Sequence, residues 1–285
     1  MNHPSPEECP MNDEVIVPIF VVIDDVMRAL GHRTHPQAGA SDSDAAQRAP
    51  VTVAVVAACQ FQNHHERALC MMRALHYLSG ALSISRFNRR VHALADWLPL
   101  LLDLLGEVFA TGEAFVLDSM PVPVCRRARA GRCRKVRGRA YCGYCAAKEE
   151  KFFGWRLHLI VTPQGVPVSF DVLPASLHDL TPVHELAERL PSGAWLYGDK
   201  AYNSADDEAM LEGEAGVRLV PIRKANMVPN PIDERAGLRL HRKKIEGVNS
   251  QLEAWGVQRL HARTNAGFML KVWASLFALL CMNAC

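Results

Sequence analysis

The sequence predicts an α/β fold, a mixed sheet with helices on its faces, preceded by a small all-α, helix-turn-helix-like N-terminal region. Three observations lead there. Near Gly112 the apolar period changes from three or four residues to two. Beyond it, Pro163-Gln164-Gly165 is a hairpin-turn signal between two strand-like runs. After that, short apolar runs alternate with helical stretches.

Residues 1–12 read as a loose start, because Pro4, Pro6 and Pro10 break any helix. Gly31 to Pro50, rich in Ala, Ser, Asp and Gln, reads as a linker. No internal repeat is visible. From Thr52 to about Phe109 the apolar spacing is helical, through Val55, Cys59, Leu69, Met72, Leu75 and Leu78. Ser83 or Ser85 is then a suitable N-cap for a basic helix carrying Arg86, Arg89 and Arg90. A short helix, a turn of small residues and a basic helix suggest a helix-turn-helix, and the three arginines are its candidate DNA contacts. The plainer alternative is a solvated basic face.

The second part, residues 111–285, begins with Glu113–Asp118, an apolar run ending in a carboxylate. Phe152–Thr162 and Val166–Leu173 form the hairpin. Leu180–Leu190 reads as a helix, Ala194–Gly198 as a strand running into Asp199, Ala205–Glu214 as a helix and Val217–Pro221 as a strand. A basic helix from about Leu238 to Trp255 carries Glu246, and Gly267–Met282 is a last apolar helix. Three antiparallel strands followed by alternating elements are the order of a ribonuclease-H-like sheet.

The bulk numbers exclude some classes. Net charge is only +2, so a nucleic-acid partner is signalled by blocks of cations and not by the total. The apolar runs Val15–Ile23, interrupted by Pro18, and Val272–Cys281 fall short of the roughly 18 residues of a membrane span, and no signal peptide is read at the N-terminus. Nine cysteines in a long chain fit a reduced, cytoplasmic setting better than a disulfide framework.

Three acids stand where such a sheet would gather them. Asp118 ends the first expected strand, Asp199 ends the fourth, and Glu246 lies on a late helix. Carboxylates at the ends of adjacent central strands meet at one sheet edge, and a helix packed across that edge supplies a third. That is the ligand type needed for divalent-metal phosphoryl transfer. Taken singly, an Asp after a strand is more often a turn or cap residue, and a helical Glu a solvated one. Arg242, Lys243 and Lys244 beside Glu246 offer cations to phosphates.

Val116-Leu117-Asp118-Ser119, Phe153-Gly154-Trp155-Arg156-Leu157-His158, Pro174-Ala175-Ser176-Leu177-His178-Asp179, Gly198-Asp199-Lys200-Ala201-Tyr202 and Arg242-Lys243-Lys244-Ile245-Glu246 occur in that order. Together they resemble the DDE transposases of bacterial insertion sequences, most closely the type called nine-eight-two. Ser85-Arg86-Phe87-Asn88-Arg89-Arg90 is similar to that group's N-terminal motif. The resemblance runs from about Val51 to Cys285. It implies a ribonuclease-H-like core with Asp118, Asp199 and Glu246 as its catalytic triad, binding two Mg2+ ions for which Mn2+ can substitute. It further implies double-stranded DNA partners, the element's terminal inverted repeats and target DNA, a homodimer on that DNA, and a place on the bacterial nucleoid. Lys200, Arg242 and Lys243 are the implied phosphate contacts near the acids. Some related transposases carry Tyr, Arg, Glu and Lys at fixed spacings around the glutamate. Here Arg242 is kept, but Arg239 and Glu253 stand at the Tyr and Lys positions. No basic end-binding residue after Glu246 is therefore assigned.

Between the first two predicted strands lie Arg126, Arg127, Arg129, Arg132, Arg134, Lys135, Arg137 and Arg139, a phosphate-binding patch in one short span. The same span holds Cys125, Cys133, Cys142 and Cys145. Cys142 and Cys145 have the spacing of half a zinc site, whereas Cys125 and Cys133 are too far apart for the usual other half, and a flexible basic loop is the alternative. His158 and His178 are candidates near the acids, although His158 lies mid-strand, where a satisfied core residue is the plainer reading, and Asp179 after His178 is a candidate helix N-cap. Two further readings share the fold: a metal-dependent nuclease that cuts without joining, and a DNA-binding protein that has lost catalysis.

Overall fold

Helices come first. A computed structural model describes residues 13–31, 44–78 and 82–284. The loose start at residues 1–12, residues 32–43 of the expected linker and residues 79–81 of the expected turn lie outside them. α1 (Asp13–Gly31), α2 (Asp44–Phe61), α3 (His65–Ala74), α4 (Ile84–Ala93) and α5 (Trp97–Phe109) form the N-terminal region. Asp44 to Pro50 is thus the first turns of α2 and not linker. Ser83 caps α4, its hydroxyl accepting the Arg86 N–H at 3.3 Å, as its sequence position suggests.

Six strands follow in one mixed sheet: β1 (Ala114–Arg126), β2 (Cys142–Cys145), β3 (Glu150–Val161), β4 (Pro167–Pro174), β5 (Trp195–Gly198) and β6 (Arg218–Pro221). β3 is central to the antiparallel half. β1 lies along one edge of it, and β4 and β2 lie end to end along the other. β5 joins β1 in parallel and β6 joins β5 in parallel. The β3–β4 turn is the expected one, with Gly165 at φ +94°. α6 (Val183–Ala187) is shorter than the expected helix, and α7 (Ala205–Glu214) matches it. α8 (Ile232–Ala254) starts earlier than the basic run, and α9 (Asn265–Ala284) closes the described chain.

The sheet has a core on each face. Phe115, Leu117, Ile160 and Leu196 pack against α6 and α7. Val116, Met120, Val122, Leu157 and Leu159 belong to a larger core shared with α8, α9 and the N-terminal helices. α9 packs on α2 and α5. By length and mean hydropathy of 1.5 it could cross a membrane, but 61% of its most apolar stretch is buried in protein. Its apolar surface therefore welds the N-terminal helices to the sheet layer.

Asp118 does not end its strand. β1 continues eight residues further to Arg126, paired only with β3, because β5 pairs no further than Val116. Pro121 and Pro123 signal a break in sequence, but they are tolerated where one strand edge has no ladder partner.

Candidate active site

The parallel β1–β5 register sets two acids side by side. Val116 pairs with Tyr197, so Asp118 and Asp199 lie two residues on, where the pairing ends. Side chains alternate along a strand, so Asp118 shares its face with Val116 and Met120, and Asp199 shares its face with Tyr197. That is the face crossed by α8: His241 stacks on Tyr197 at 5.0 Å between ring centroids. The helix crosses closely enough that a Cβ on Gly237 would sit 2.3 Å from the Tyr197 hydroxyl. Gly198 serves the same end, because a Cβ there would meet the Tyr202 ring at 2.9 Å. Tyr202, 1% exposed, lies beside the acids.

Each acid has defined partners. Asp118 Oδ1 accepts the Ser119 N–H at 2.8 Å, and its Oδ2 accepts Asn249 Nδ2 from α8 at 2.7 Å. Asp199 caps the short 3-10 turn at residues 200–202, accepting the Ala201 N–H at 2.7 Å. A third carboxylate, Asp179, accepts Ser119 Oγ at 2.7 Å and Arg156 Nη1 at 3.0 Å. Arg156 also donates to the Tyr144 carbonyl at 3.1 Å, which ties β2 to this edge.

The electrostatics follow from burial and like charge. Burial pushes the Asp118 carboxyl up to about 7. The Ser119 N–H and Asn249 oppose this, and the charges of Asp199 and Asp179 add to it. Lost hydration also raises Asp199, the Ala201 N–H lowers it, and the Asp179 charge raises it again. Burial holds the Tyr202 hydroxyl well above its ordinary value, and the three carboxylates raise it further. Mutually repelling carboxylates at the mouth of a sheet make a hard, oxygen-rich donor set of the kind that divalent cations take. The residues present fit such an ion chemically. Among the described residues no group of three or more His, Cys, Asp or Glu side chains is already arranged to hold one.

Glu246 accounts for part of that. It lies on α8 one turn before Asn249, about 4.5 Å along the axis, on the helix that crosses the acids. Its carboxylate is bound by Arg242 Nε at 2.8 Å, with both side chains more than half exposed. The structure thus brings Asp118 and Asp199 together and leaves Glu246 nearby on a surface ion pair. Lys200, Arg242 and Lys243 are exposed around this edge.

The sequence alone gives no sign that Asp179, Asn249, Arg156 and Tyr202 act on the acids. Asp179 is not a helix cap, since α6 is preceded by Pro182 with no side-chain cap bond. The Ser-Leu-His-Asp block was the one signal that pointed near it. His158 is fully buried opposite Ser119, and burial lowers its pKa to about 4, so it is a neutral core residue. His178 is exposed and accepts the Leu180 N–H through Nδ1.

The four cysteines do not form a zinc knuckle. Cys142 and Cys145 occupy the two ends of β2, and residues three apart in a strand point to opposite faces. Cys125, Cys133 and Cys142 pack against the larger core, with Cys125 and Cys133 interacting through their thiols. The basic span is also more ordered than a flexible loop, with 3-10 turns at 127–132 and 139–141. Its seven arginines are exposed, counting Arg126, Arg127, Arg129, Arg132, Arg134, Arg137 and Arg139, while half-buried Lys135 lies 5.7 Å from the Phe268 ring centre.

The family model for the transposase DDE domain matches residues 109–265. The chain belongs to the DDE transposases. The matched DDE domain spans all six strands and α6 to α8, and it contains Asp118, Asp199 and Glu246. α1 to α4 and nearly all of α9 fall outside it. No curated protein and no solved structure matches the chain.

Proposed function

We propose that the chain is the transposase of a bacterial insertion sequence of the nine-eight-two type, cutting the element's ends and joining them to target DNA. The convergence of Asp118 and Asp199 at the end of the β1–β5 pairing, inside a DDE domain, carries this reading. Asp118, Asp199 and Glu246 would hold two Mg2+ ions, or Mn2+ in their place. When bound, the pair supplies Lewis acidity at a water or a DNA 3′-hydroxyl and at the leaving oxygen. The chain's own groups do the positioning. Asn249 and the Ser119 N–H fix the two Asp118 oxygens, and the Ala201 N–H fixes Asp199. Glu246 reaches the site by exchanging Arg242 for it, a side-chain rotation on an exposed turn.

In joining, the 3′-oxygen of the cut end forms a new bond to a target phosphorus. The target P–O3′ bond breaks, the attacking hydroxyl's proton goes to solvent, and the departing 3′-oxygen takes a proton from solvent to become a hydroxyl. Lys200, Arg242 and Lys243 would contact the flanking phosphates, and Arg126 to Arg139 would hold the duplex without reading bases. End recognition falls to Arg86, Arg89 and Arg90 on α4, since the acids act on a phosphate common to every nucleotide. Two element ends call for two copies of the chain, so a homodimer on DNA, at the nucleoid, belongs to the same reading. Residues 1–110 are read as the DNA-recognition region and 111–285 as the catalytic one.

The test is a strand-transfer assay with a duplex that carries an element end with a free 3′-hydroxyl, a labelled target and Mg2+. Joined product is expected. Cleavage without any joined product would assign the chain to hydrolysis alone, and neither product would assign it to DNA binding without catalysis.

A further inference from the structure

A cavity of about 1920 Å³ opens between α3, α4, the far end of β1, the segment after α8 and the start of α9. It is larger than the roughly 300–1,000 Å³ of ordinary small-ligand pockets. Its lining carries seven Lys and Arg side chains against three Glu. One of those glutamates, Glu253, is already neutralised by Lys148 at 2.5 Å. Lys148 also donates to Gln258 at 2.7 Å, which clasps the segment after β2 to the end of α8. Arg126, Arg129, Arg259 and Arg263 are exposed and have no acidic partner among the described residues. Burial lowers the pKa of His64, and the charges of Arg67, Lys271 and His261 lower it further. His65 is pushed down to about 3 by burial, Lys271 and two neighbouring histidines. The cleft therefore has a positive field that its own acids do not cancel, and it calls for a polyanion.

We propose that this cleft is a seat for the sugar-phosphate backbone of duplex DNA, separate from the α4 arginines and continuous with the carboxylate edge. α4 turns Ile84, Asn88, Val91 and His92 toward the cleft. At 100° per residue, Arg86, Arg89 and Arg90 occupy the opposite side of the helix. One DNA segment cannot use both faces in the same way. The duplex is favoured over a single strand by the lining. Its one Phe, Tyr or Trp is Phe152, which is 4% exposed, whereas single-strand binders present open aromatic platforms.

The place of the cleft sets a footprint. Glu253, on the cleft wall, lies one turn of α8 beyond Asn249, the partner of Asp118. Arg126 lies eight residues along β1 from Asp118, about 26 Å at strand rise. At about 3.4 Å per base pair the backbone contacts run from beside the cut phosphate out to about 8 base pairs. The footprint, though not the binding, rests on the proposed cutting site at Asp118 and Asp199.

The experiment measures binding of the full chain to a random-sequence duplex about three helical turns long, in EDTA, across a salt series. R259A/R263A and, from the facing wall, R126A/R129A should each lower the log–log salt slope by about 2 and weaken every duplex sequence alike. E66Q should strengthen binding at low salt. An unchanged slope in both double variants, or single strands bound as tightly as duplex, would overturn the seat. These arms use neither a divalent metal nor an element end, so they stand apart from the strand-transfer test. In a second arm, phosphate ethylation of a pre-cut end should interfere out to about 8 base pairs. Interference confined to the two phosphates next to the cut would contradict the placement.

Discussion

Asp118 on the β1–β5 edge and Glu246 on the outer turn of α8 are presented in opposite ways. Asp118 is largely buried, has both oxygens hydrogen-bonded, and is pushed up to about 7 by burial and by its neighbours' charge. Glu246 is more than half exposed and rests on a single (i, i+4) arginine. A strand register fixes an acid to within the pleat, and both Asp118 oxygens already hold a donor. A helical acid on a solvated turn is held by a pair worth only a few tenths of a kcal/mol, so it can change partners cheaply. The difference suggests a division of labour. In the proposed function the edge would be the preset half of the site, and α8 would supply the half that completes it when DNA and cation arrive.

The sharpest break of that comparison is at the edge. D199N keeps size but removes the charge, and should reduce Mg2+-dependent cleavage by about a thousand-fold or more while leaving DNA binding nearly intact. Cleavage of element ends at the wild-type rate would remove Asp199 from the site.

The next effect is on stability. The folded pKa of Asp118 lies above the unfolded value of about 3.9, so the folded chain holds a proton that the unfolded chain gives up. The associated stability is complete below about pH 4 and is lost as pH rises toward 7, by at most about 4 kcal/mol. In chelator, urea unfolding of the wild type should therefore weaken across that window relative to D118N. Parallel pH profiles would mean that Asp118 is better solvated than its surroundings indicate.

N249A tests the link between the two regions. Losing the donor to Asp118 Oδ2 should raise the metal concentration for half-maximal cleavage by about 10–100-fold, with the fold intact. An unchanged metal requirement would reduce Asn249 to packing. The smallest effect belongs to R242A, which frees Glu246. Its stability cost should be about 0.3–0.5 kcal/mol by chemical unfolding. A loss above about 1 kcal/mol would show that the outer turn is more than a surface pair.

Much of the sheet was legible because its signals are local. The Pro163-Gln164-Gly165 turn, the strand leading into Asp199 and α7 depend on neighbours within a few residues. α1 was not legible, since Val15 to Ile23 is apolar throughout and contains Pro18, so no helical period emerges. β2 is four residues long and is defined only by pairing with β3. The continuation of β1 through Pro121 and Pro123 is legible only once β5 is known to stop short of it. Asp199 could be read as a strand-end acid, and Asp118 as the acid closing an apolar run, though its strand continues to Arg126. Their partners could not, because Asp179 and Asn249 reach the site through tertiary register, 60 and 131 residues away in sequence.

The central claim is that Asp118 and Asp199 form the preset half of a divalent-cation site that Glu246 completes. Anomalous diffraction from crystals of the chain bound to DNA and Mn2+ tests it directly. The account predicts manganese peaks in contact with Asp118 and Asp199, with Glu246 turned from Arg242 toward them. Peaks elsewhere, or a Glu246 still paired with Arg242 beside a fully liganded ion, would contradict it.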